Sequence, residues 1–190
     1  MDYKKYRWFF TKSEKLVYGG KSAVQNEEIV KEIIKKNSER IVMHTKIPGS
    51  PFAIIDAPLK KVNESDLEET AVWTACFSRA WRTGLYKTQV DIFTNNQILK
   101  EKNMKPGTFA VKKVQRKNVL LKLFLINQKR ILRAVPEKTL KKNTKVFAKI
   151  IPGKEKKEKI ALEISKKLNK KIDEVLNALP TGGIKIQWQK

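Results

Sequence analysis

The order of the local patterns is the feature that most restricts the fold, because strand patterns come in runs that single helices interrupt. Residues 6–18 alternate as a β-hairpin, and a helical stripe of apolar residues begins after Ser22. Two strands around a turn fill residues 40–55. Residues 63–68, with Ser65 and Glu68 at capping-box spacing, predict the start of a helix that ends at Arg82. Runs of strands broken by isolated helices are typical of α+β domains.

The second half of the chain continues this mixed pattern. Strands are predicted over residues 88–93, 109–114, 118–126, 129–134, 144–151 and 184–188, and helices over residues 155–168 and 172–179. We therefore expect an α+β fold with a mixed, mainly antiparallel sheet and packed helices. A small basic α/β extension is expected at the C-terminal end.

Charge is distributed unevenly along the 190 residues, which have a formal net charge of +23. Residues 1–99 contain 16 Lys and Arg against 12 Asp and Glu, whereas residues 100–171 contain 24 against 5. Such an excess opposes folding through self-repulsion unless a polyanion neutralises it. RNA, DNA, an anionic membrane surface and acidic protein are the candidate polyanions, and the electrostatic attraction is expected mainly in the second half.

Several kinds of site are excluded because the chain has one cysteine, Cys76, and one histidine, His44. A disulfide framework and the common zinc sites need more of these residues, and no Walker loop or GxGxxG motif is present. We expect neither a metal nor another cofactor, and a reducing, cytoplasmic compartment. No apolar run approaches the roughly 18–20 residues that cross a bilayer, and the predicted helices have no large exposed apolar face for a membrane surface, so no membrane partner is expected.

An enzyme in its own right remains a weaker hypothesis. Cys76 as a nucleophile with His44 as its base is one form of it, but a place in mid-helix favours a buried structural thiol. Carboxylates such as Asp56 and Asp91 are the other candidates for catalysis.

A turn of imposed shape follows His44, because Pro48-Gly49-Ser50-Pro51 restricts the backbone. Backbone N–H groups together with His44, Lys46 and Ser50 can hold a phosphate in such a turn. The alternative is an ordinary β-turn beside a hydrogen-bonded histidine.

A second candidate cluster lies near the end of the helix predicted to reach Arg82. Phe77 and Trp81 are expected to face the core, so Ser78 and Arg82 would project together, with Arg79 beside them. A solvated helix end is the alternative interpretation.

Two further sets of residues combine basic and aromatic side chains or cluster at a strand end. They are Arg7 with Trp8 on the first hairpin, and the pairs Lys112-Lys113 and Arg116-Lys117. A base that stacks on an exposed aromatic ring gains about 1–3 kcal/mol. Core packing is the alternative for a strand aromatic such as Trp8.

Five separated segments, in this order, resemble the NFACT-R domain, which is the RNA-binding domain of the NFACT proteins. They are Tyr6-Arg7-Trp8-Phe9 with Val17-Tyr18-Gly19-Gly20, residues 23–27, residues 43–52, residues 71–81, and Pro106-Gly107-Thr108-Phe109 with Lys117-Asn118. That family includes translation-linked factors of ribosome quality control and the bacterial fibronectin-binding protein A group. The resemblance implies an RNA-binding domain over residues 1–118 and a basic extension over residues 119–190, packed on the first domain.

The turn after His44 departs from the family pattern, which usually reads His-Ala-Asp-Leu-His-Gly-Ala. Here Lys46 stands where the family has its acidic residue, and Pro48 stands where it has the second histidine. The two changes weaken an acid–base or metal interpretation and suit a phosphate-binding one.

The resemblance implies a non-catalytic RNA-binding protein that acts on tRNA or ribosomal RNA, with the ribosome as a possible partner. It does not imply the tail synthesis of the full-length factors, which have further domains. An accessory subunit of an RNA-modification enzyme, with a protein partner, is the alternative. The predicted RNA-binding residues are Arg7, Trp8, His44, Lys46, Ser50, Ser78, Arg79, Arg82, Lys112, Lys113, Arg116 and Lys117.

Overall fold

A computed structural model describes residues 2–101, 103–105 and 107–189, so Pro106 of the last family-like segment lies outside the described residues. Within these ranges the chain forms twelve strands and five α-helices. In chain order they are β1 (Arg7–Phe10), β2 (Leu16–Gly19), α1 (Ala23–Ile34), β3 (Ile41–Thr45), β4 (Ala53–Ile55), α2 (Glu64–Cys76), α3 (Arg79–Arg82), β5 (Lys87–Thr94), β6 (Ile98–Leu99), β7 (Ala110–Val111), β8 (Gln115–Leu120), β9 (Leu123–Gln128), β10 (Ile131–Val135), β11 (Val146–Glu155), α4 (Lys157–Leu168), α5 (Ile172–Ala178) and β12 (Ile184–Trp188).

The strands form two main sheets and one short ribbon. The first sheet has the order β1-β2-β4-β3-β5-β8, the second has the order β10-β9-β11-β12, and β6 pairs with β7. All the pairings among the described residues are antiparallel. The predicted α+β fold with mainly antiparallel pairing is therefore confirmed, and the strands of the extension form a sheet of their own.

Helices cover both faces of the first sheet. Val42 of β3 is buried in one cluster with Ile29 and Ile33 of α1, whereas its neighbour Met43 is buried in the other cluster with Trp73 of α2. Because successive strand residues face opposite sides of a sheet, this alternation places α1 on one side and α2 on the other.

Helix starts follow side-chain caps. The hydroxyl of Ser22 accepts from the Gln25 N–H and begins α1, as the sequence predicts. The second helix, α2, begins within the predicted residues 63–68, but its cap is Asn63 and not Ser65. The Asn63 side chain accepts from the N–H of Asp66, whose carboxylate accepts from the Asn63 N–H in return, which completes a capping box.

The change from the first sheet to the second occurs at Leu121. Its N–H donates to the Tyr86 carbonyl at 2.8 Å, and β9 begins two residues later at Leu123. The strands predicted over residues 109–114 and 118–126 are wrong in their bounds, because the structure has β7, β8 and β9 over these residues instead. The apolar run hid this turn, and the expected boundary at residue 118 falls inside β8.

The two sheets share one hydrophobic cluster, which includes Trp81 of α3 and Leu125 of β9. Polar contacts also join them: the Trp81 Nε1–H donates to the Gly183 carbonyl at 3.0 Å, and the amide of Gln128 bonds to both backbone groups of Phe10. These contacts connect β9 and the start of β12 with α3 and β1. None of the helices in the described ranges is long and apolar enough to cross a membrane.

Candidate nucleic-acid interface

An open groove of about 910 Å³ crosses the end of the first sheet at which β1 begins and β3 ends. Its walls come from the β2–α1 connection, the β3–β4 turn, the break between α2 and α3, residues 107–116 and Thr181 after α5. With Arg7 of β1 and with Asp91 and Phe93 of β5, seven stretches that are separate in sequence therefore meet around one surface.

The groove collects most of the predicted RNA-binding residues. Eight of the twelve line it, namely Arg7, His44, Lys46, Ser50, Ser78, Arg79, Arg82 and Arg116. The four that do not are Trp8, Lys112, Lys113 and Lys117.

The turn after β3 is held by hydrogen bonds that leave little freedom. The Ser50 hydroxyl accepts from the Thr45 N–H at 3.0 Å, and the Thr45 hydroxyl donates to the Ile47 carbonyl at 2.7 Å. Asn26 of α1 donates to the Ser50 carbonyl and accepts from the Phe52 N–H at 3.1 Å. The Ser50 side chain is buried, and its hydroxyl also donates to the Pro51 carbonyl. Ser50 therefore shapes the turn instead of presenting its hydroxyl to a ligand.

The turn also docks on α3, which unites the two clusters that the sequence suggested separately. The Arg79 N–H donates to the Gly49 carbonyl at 2.8 Å. Gly49 has a φ of 112°, and a Cβ on it would lie 3.2 Å from the Cβ of Arg79. Glycine is thus required here both by its backbone conformation and by this close approach.

Ser78 is a cap and not an outward-facing ligand, which corrects the prediction made for it. Its hydroxyl accepts from the Ala80 N–H and donates to the Ala75 carbonyl, and the side chain is buried. The predicted single helix therefore breaks, and Ser78 begins α3, because a serine side chain can replace backbone partners at this point. The break points Arg79 and Arg82, both exposed, towards the groove.

The environment of His44 favours the neutral form of its ring. Burial lowers its pKa, and this effect outweighs the opposing influence of the Thr45 carbonyl and of Asp91. Its Nδ1 lies 2.7 Å from the Thr45 carbonyl oxygen, so Nδ1 carries the hydrogen and Nε2 is an acceptor. Its ring packs on Phe52 at 4.6 Å between centroids. A neutral His44 would contact a hydrogen-bond donor, whereas the sequence suggested a phosphate contact.

Positive charge dominates the groove. The cationic lining residues are Arg7, Lys21, Lys46, Arg79, Arg82 and Arg116. Arg116 is paired with Asp91 at 2.8 Å, and Asp91 is the one carboxylate among the described residues of the lining. For the other five cations, the described part of the chain places no carboxylate within 4.0 Å.

Arg7 is the most enclosed of these cations. Burial lowers its pKa, and its guanidinium lies 5.0 Å from the centroid of the Phe77 ring. A half-buried guanidinium without a described carboxylate partner is a costly arrangement for the free protein, and an anionic ligand relieves that cost.

Lys21, Asn26 and Glu27 are site residues that the sequence interpretation did not single out. The carboxylate of Glu27 accepts from the Gly107 N–H at 2.7 Å and from Lys100 at 2.9 Å, which fastens residues 107–109 to α1 as a wall of the groove. Burial raises the pKa of Glu27, but these hydrogen bonds outweigh burial and lower it. Asn26 and Glu27 do lie in a family-like segment, which was the available signal.

Trp8 does not offer a stacking surface, which corrects its prediction. The side chain is 2% exposed, and the guanidinium of Arg133 lies 3.8 Å from its ring centroid. Trp8 is buried on the α1 side and Phe9 on the α2 side of the same strand. The aromatic run of β1 therefore indicates a strand covered on both faces.

Arg116 and Lys117 are separated by the sheet, although they are adjacent in sequence. Lys117 binds Glu64 at 2.8 Å and Glu68 at 2.9 Å on α2, whereas Arg116 faces the groove. Successive residues of a strand point to opposite faces, so the pair was never one basic cluster. Lys112 and Lys113 are exposed outside the groove.

Of the side chains considered for catalysis, His44 and Asp91 line the groove, whereas Cys76 and Asp56 do not. Cys76 is completely buried outside it, and burial raises the pKa of its thiol. Asp56 lies near Lys36 and Arg40, away from the lining. Among residues 2–101, 103–105 and 107–189, no group of three metal-ligating side chains occurs.

Comparison with known proteins decides the family. The family model of the NFACT protein RNA binding domain matches residues 5–113, which is more than half of the chain and includes most of the groove. The chain belongs to the NFACT-R family.

One NFACT-R relative is the archaeal Rqc2 homolog aRqcH of Methanocaldococcus jannaschii, which is 29% identical over 97% of this chain. The chain spans 29% of the length of that relative. Among solved structures, the C-terminal part of the fibronectin/fibrinogen-binding protein from Streptococcus suis is similar, with a TM-score of 0.53 and 26% identity. That match covers 60% of this chain and 44% of the other.

Proposed function

We propose that this protein is a non-catalytic RNA-binding protein that holds tRNA or ribosomal RNA in the groove, in translation or ribosome-associated quality control. Its membership of the NFACT-R family supports RNA as the polyanion. The similarity to an archaeal Rqc2 homolog supports a role in ribosome quality control.

The observation that carries the proposal is the concentration of cations around one open groove. Arg7, Lys21, Lys46, Arg79 and Arg82 line it without a described carboxylate partner. Each lysine or arginine that neutralises a phosphate releases counterions and contributes to affinity. Arginine side chains also fit phosphate oxygens with two parallel hydrogen bonds, which favours Arg79 and Arg82 as positioning contacts.

A neutral acceptor beside these cations supports a preference for RNA over DNA. Nε2 of His44 accepts hydrogen bonds, and the 2′-hydroxyl of ribose is the donor that DNA lacks. In the proposal, the arginines bind the backbone and His44 accepts from a ribose hydroxyl. A His44→Phe variant should therefore lose preference for RNA over a DNA of the same sequence more than it loses total affinity.

Ultraviolet crosslinking in cells, followed by RNA sequencing and peptide mapping, tests the proposal. We expect tRNA or ribosomal RNA to be recovered, with crosslinks in residues 43–52 and 77–82 that disappear in an Arg79→Ala/Arg82→Ala variant. Recovery of no RNA above background would contradict RNA binding. Crosslinks confined to residues 119–190 would contradict the groove as the site.

The second candidate is an accessory RNA-binding subunit of an RNA-modification enzyme. It is favoured by exposed apolar side chains where the first sheet ends, since Tyr86 is 66% and Leu120 is 67% exposed. The two lie close together, because Lys87 pairs with Leu120 across β5 and β8. Purification after nuclease treatment separates the candidates. A stoichiometric protein partner that survives nuclease, and is lost in Tyr86→Ser, would favour the second one.

A further inference from the structure

The groove changes in character from one edge of the first sheet to the other. At the β1 edge, Arg7 lines it without a described carboxylate partner. At the β8 edge, the cation Arg116 is bonded to Asp91 of β5. The neighbouring ring of His44 on β3 favours its neutral form. The charges of the lining cancel at this neutral end of the groove, so it offers a phosphate little attraction.

Sheet pairing places His44, Asp91 and Arg116 side by side at the neutral end. His44 pairs with Asp91 across β3 and β5, and Asp91 pairs with Arg116 across β5 and β8. Residues directly opposite each other on neighbouring strands face the same side of a sheet. That side is the one covered by α1, because Val42, two residues before His44, is buried in the cluster with α1. The three polar side chains therefore form one row along the groove.

Apolar side chains line the groove around this row. Phe52 and Phe93 come from the sheet, and Phe109, Val111 and Val114 come from the segment between β6 and β8. The last three are half-buried, so they leave apolar surface open to the groove. A ligand with flat apolar faces would remove this surface from water, which favours binding.

The position of Phe109 is fixed by contacts within the protein. Its ring packs edge-on against Phe52 with the centroids 5.2 Å apart, and Nζ of Lys100 lies 4.6 Å from its centroid. Lys100 is held in turn by the carboxylate of Glu27 on α1 at 2.9 Å. A wall that is already ordered loses little conformational entropy when a ligand binds.

The ion pair in the row keeps hydrogen-bonding capacity for a ligand. Arg116 donates to one carboxylate oxygen of Asp91 through Nε at 2.8 Å. Among the described residues, the second oxygen of Asp91 and the terminal nitrogens of Arg116 have no hydrogen-bond partner. The two side chains are 18% and 51% exposed, so a ligand in the groove can reach the pair. The row thus presents acceptors beside donors.

We propose that the neutral end of the groove binds one unpaired nucleobase of the RNA, and that guanine fits it best. A base has flat faces for the apolar side chains and a polar edge for the row. Guanine presents two adjacent N–H donors for the carboxylate of Asp91 and a neighbouring carbonyl oxygen for Arg116. His44 is left for the ribose hydroxyl of the same nucleotide. This inference rests on the proposed function and deepens it.

Fluorescence anisotropy with two single-stranded RNAs of about seven nucleotides tests the base site. One is oligouridine, and the other has a guanosine in place of the central uridine. We expect the second RNA to bind about ten-fold tighter, as for a base read by paired hydrogen bonds. Inosine at the same place lacks the exocyclic amino group and should lose most of this gain. In a hairpin stem, where the guanosine is paired, the same replacement should change nothing.

Asp91→Asn removes the carboxylate and keeps the shape of the side chain. This variant should bind both single-stranded RNAs with nearly equal affinity. Its affinity for oligouridine should not fall, because the change releases the charge of Arg116. Asp56→Asn is the matched control, since Asp56 also forms ion pairs but lies outside the groove. The control should keep the preference for guanosine.

Equal affinity of the unsubstituted protein for both RNAs, or a preference that Asp91→Asn retains, would overturn the base site. If Arg79→Ala/Arg82→Ala still weakens RNA binding in that case, the proposed function stands without the base site. Absence of any RNA binding would contradict the proposed function and the base site together. The two claims are therefore contradicted by different results.

Discussion

Residues 1–99 and residues 100–171 contribute cations to the groove in the reverse order of their net charge. The first stretch has a net charge of +4, yet it supplies Arg7, Lys21, Lys46, Arg79 and Arg82. The second has a net charge of +19, and among its described residues it supplies only Arg116, which is paired with Asp91. A high net charge along a stretch of sequence therefore does not show that its cations come together at one site.

The difference suggests a division of roles between the two regions. The first sheet and its helices shape the groove with short, constrained segments such as the turn after β3. The second sheet contacts them through the hydrogen bond between Trp81 and Gly183, and many lysines of residues 100–171 are exposed. Long-range attraction then comes from the whole surface, and positioning comes from the groove.

The largest expected effect follows from breaking the contact of α3 with the second sheet. Trp81 is completely buried in the shared cluster, and its indole N–H donates to the Gly183 carbonyl. Trp81→Ala should lower the free energy of unfolding by about 3–5 kcal/mol. Urea unfolding followed by fluorescence and by circular dichroism should show one transition that shifts as a unit. Two transitions, of which only one shifts, would mean that the regions fold independently.

A smaller effect on the free energy of unfolding is expected from Asp66, a buried carboxylate of the first region, as the pH falls. Burial raises the pKa of Asp66, but hydrogen bonds to its carboxylate outweigh burial and hold the pKa below its ordinary value. The donors are the side chains of Ser13, Thr11 and Lys15 and the backbone of Asn63. A depressed pKa contributes stability that is present above the unfolded pKa and is lost as pH falls through the folded pKa.

Asp66→Asn should therefore lower the free energy of unfolding at pH 7 by about 2 kcal/mol and flatten its decrease below pH 4. The pKa of the nearby Glu69 shifts in the opposite direction, because burial raises it. The quantity to measure is consequently the difference between the two proteins from pH 2 to pH 7. A difference that does not change with pH would contradict the account of Asp66.

The smallest effect is expected for Lys117, which the sequence predicted to bind RNA but which does not line the groove. Lys117 is bound by Glu64 and Glu68 on α2, so Lys117→Ala should cost about 0.2–1 kcal/mol of stability. Its RNA affinity should equal that of the unsubstituted protein, as measured by fluorescence anisotropy. A clear loss of RNA affinity would place the binding surface on the α2 side of the sheet.

Local signals in the sequence predicted much of the fold. The start of α1 at Ser22, the first hairpin and the mainly antiparallel pairing all follow from caps, alternation and turns. The end of β8 was not predicted, because an apolar run continues through Leu121 and only the contact with Tyr86 shows where the chain turns. Helix periodicity likewise continues through Ser78, and only its hydrogen bonds show that it is a cap.

The site was predictable in its parts but not in its arrangement. His44, Arg79 and Arg82 were candidates from composition and turn chemistry, and the structure brings them to one groove. Trp8 could not be assigned, because an alternating aromatic strand does not show whether both of its faces are covered. Lys21 lies in no recognisable basic cluster, and only the approach of α1 to the turn makes it part of the site.

The salt dependence of RNA binding tests the division between the two regions most directly. An Arg79→Ala/Arg82→Ala variant is compared with Lys142→Ala/Lys166→Ala, which removes the same charge from exposed positions outside the groove. The slope of log affinity against log salt should decrease by about 1.4–1.8 in the groove variant, since each phosphate that is no longer neutralised lowers it by about 0.7–0.9. The slope should stay nearly unchanged in the control. Equal decreases in both variants would show that charge density, and not the groove, determines binding.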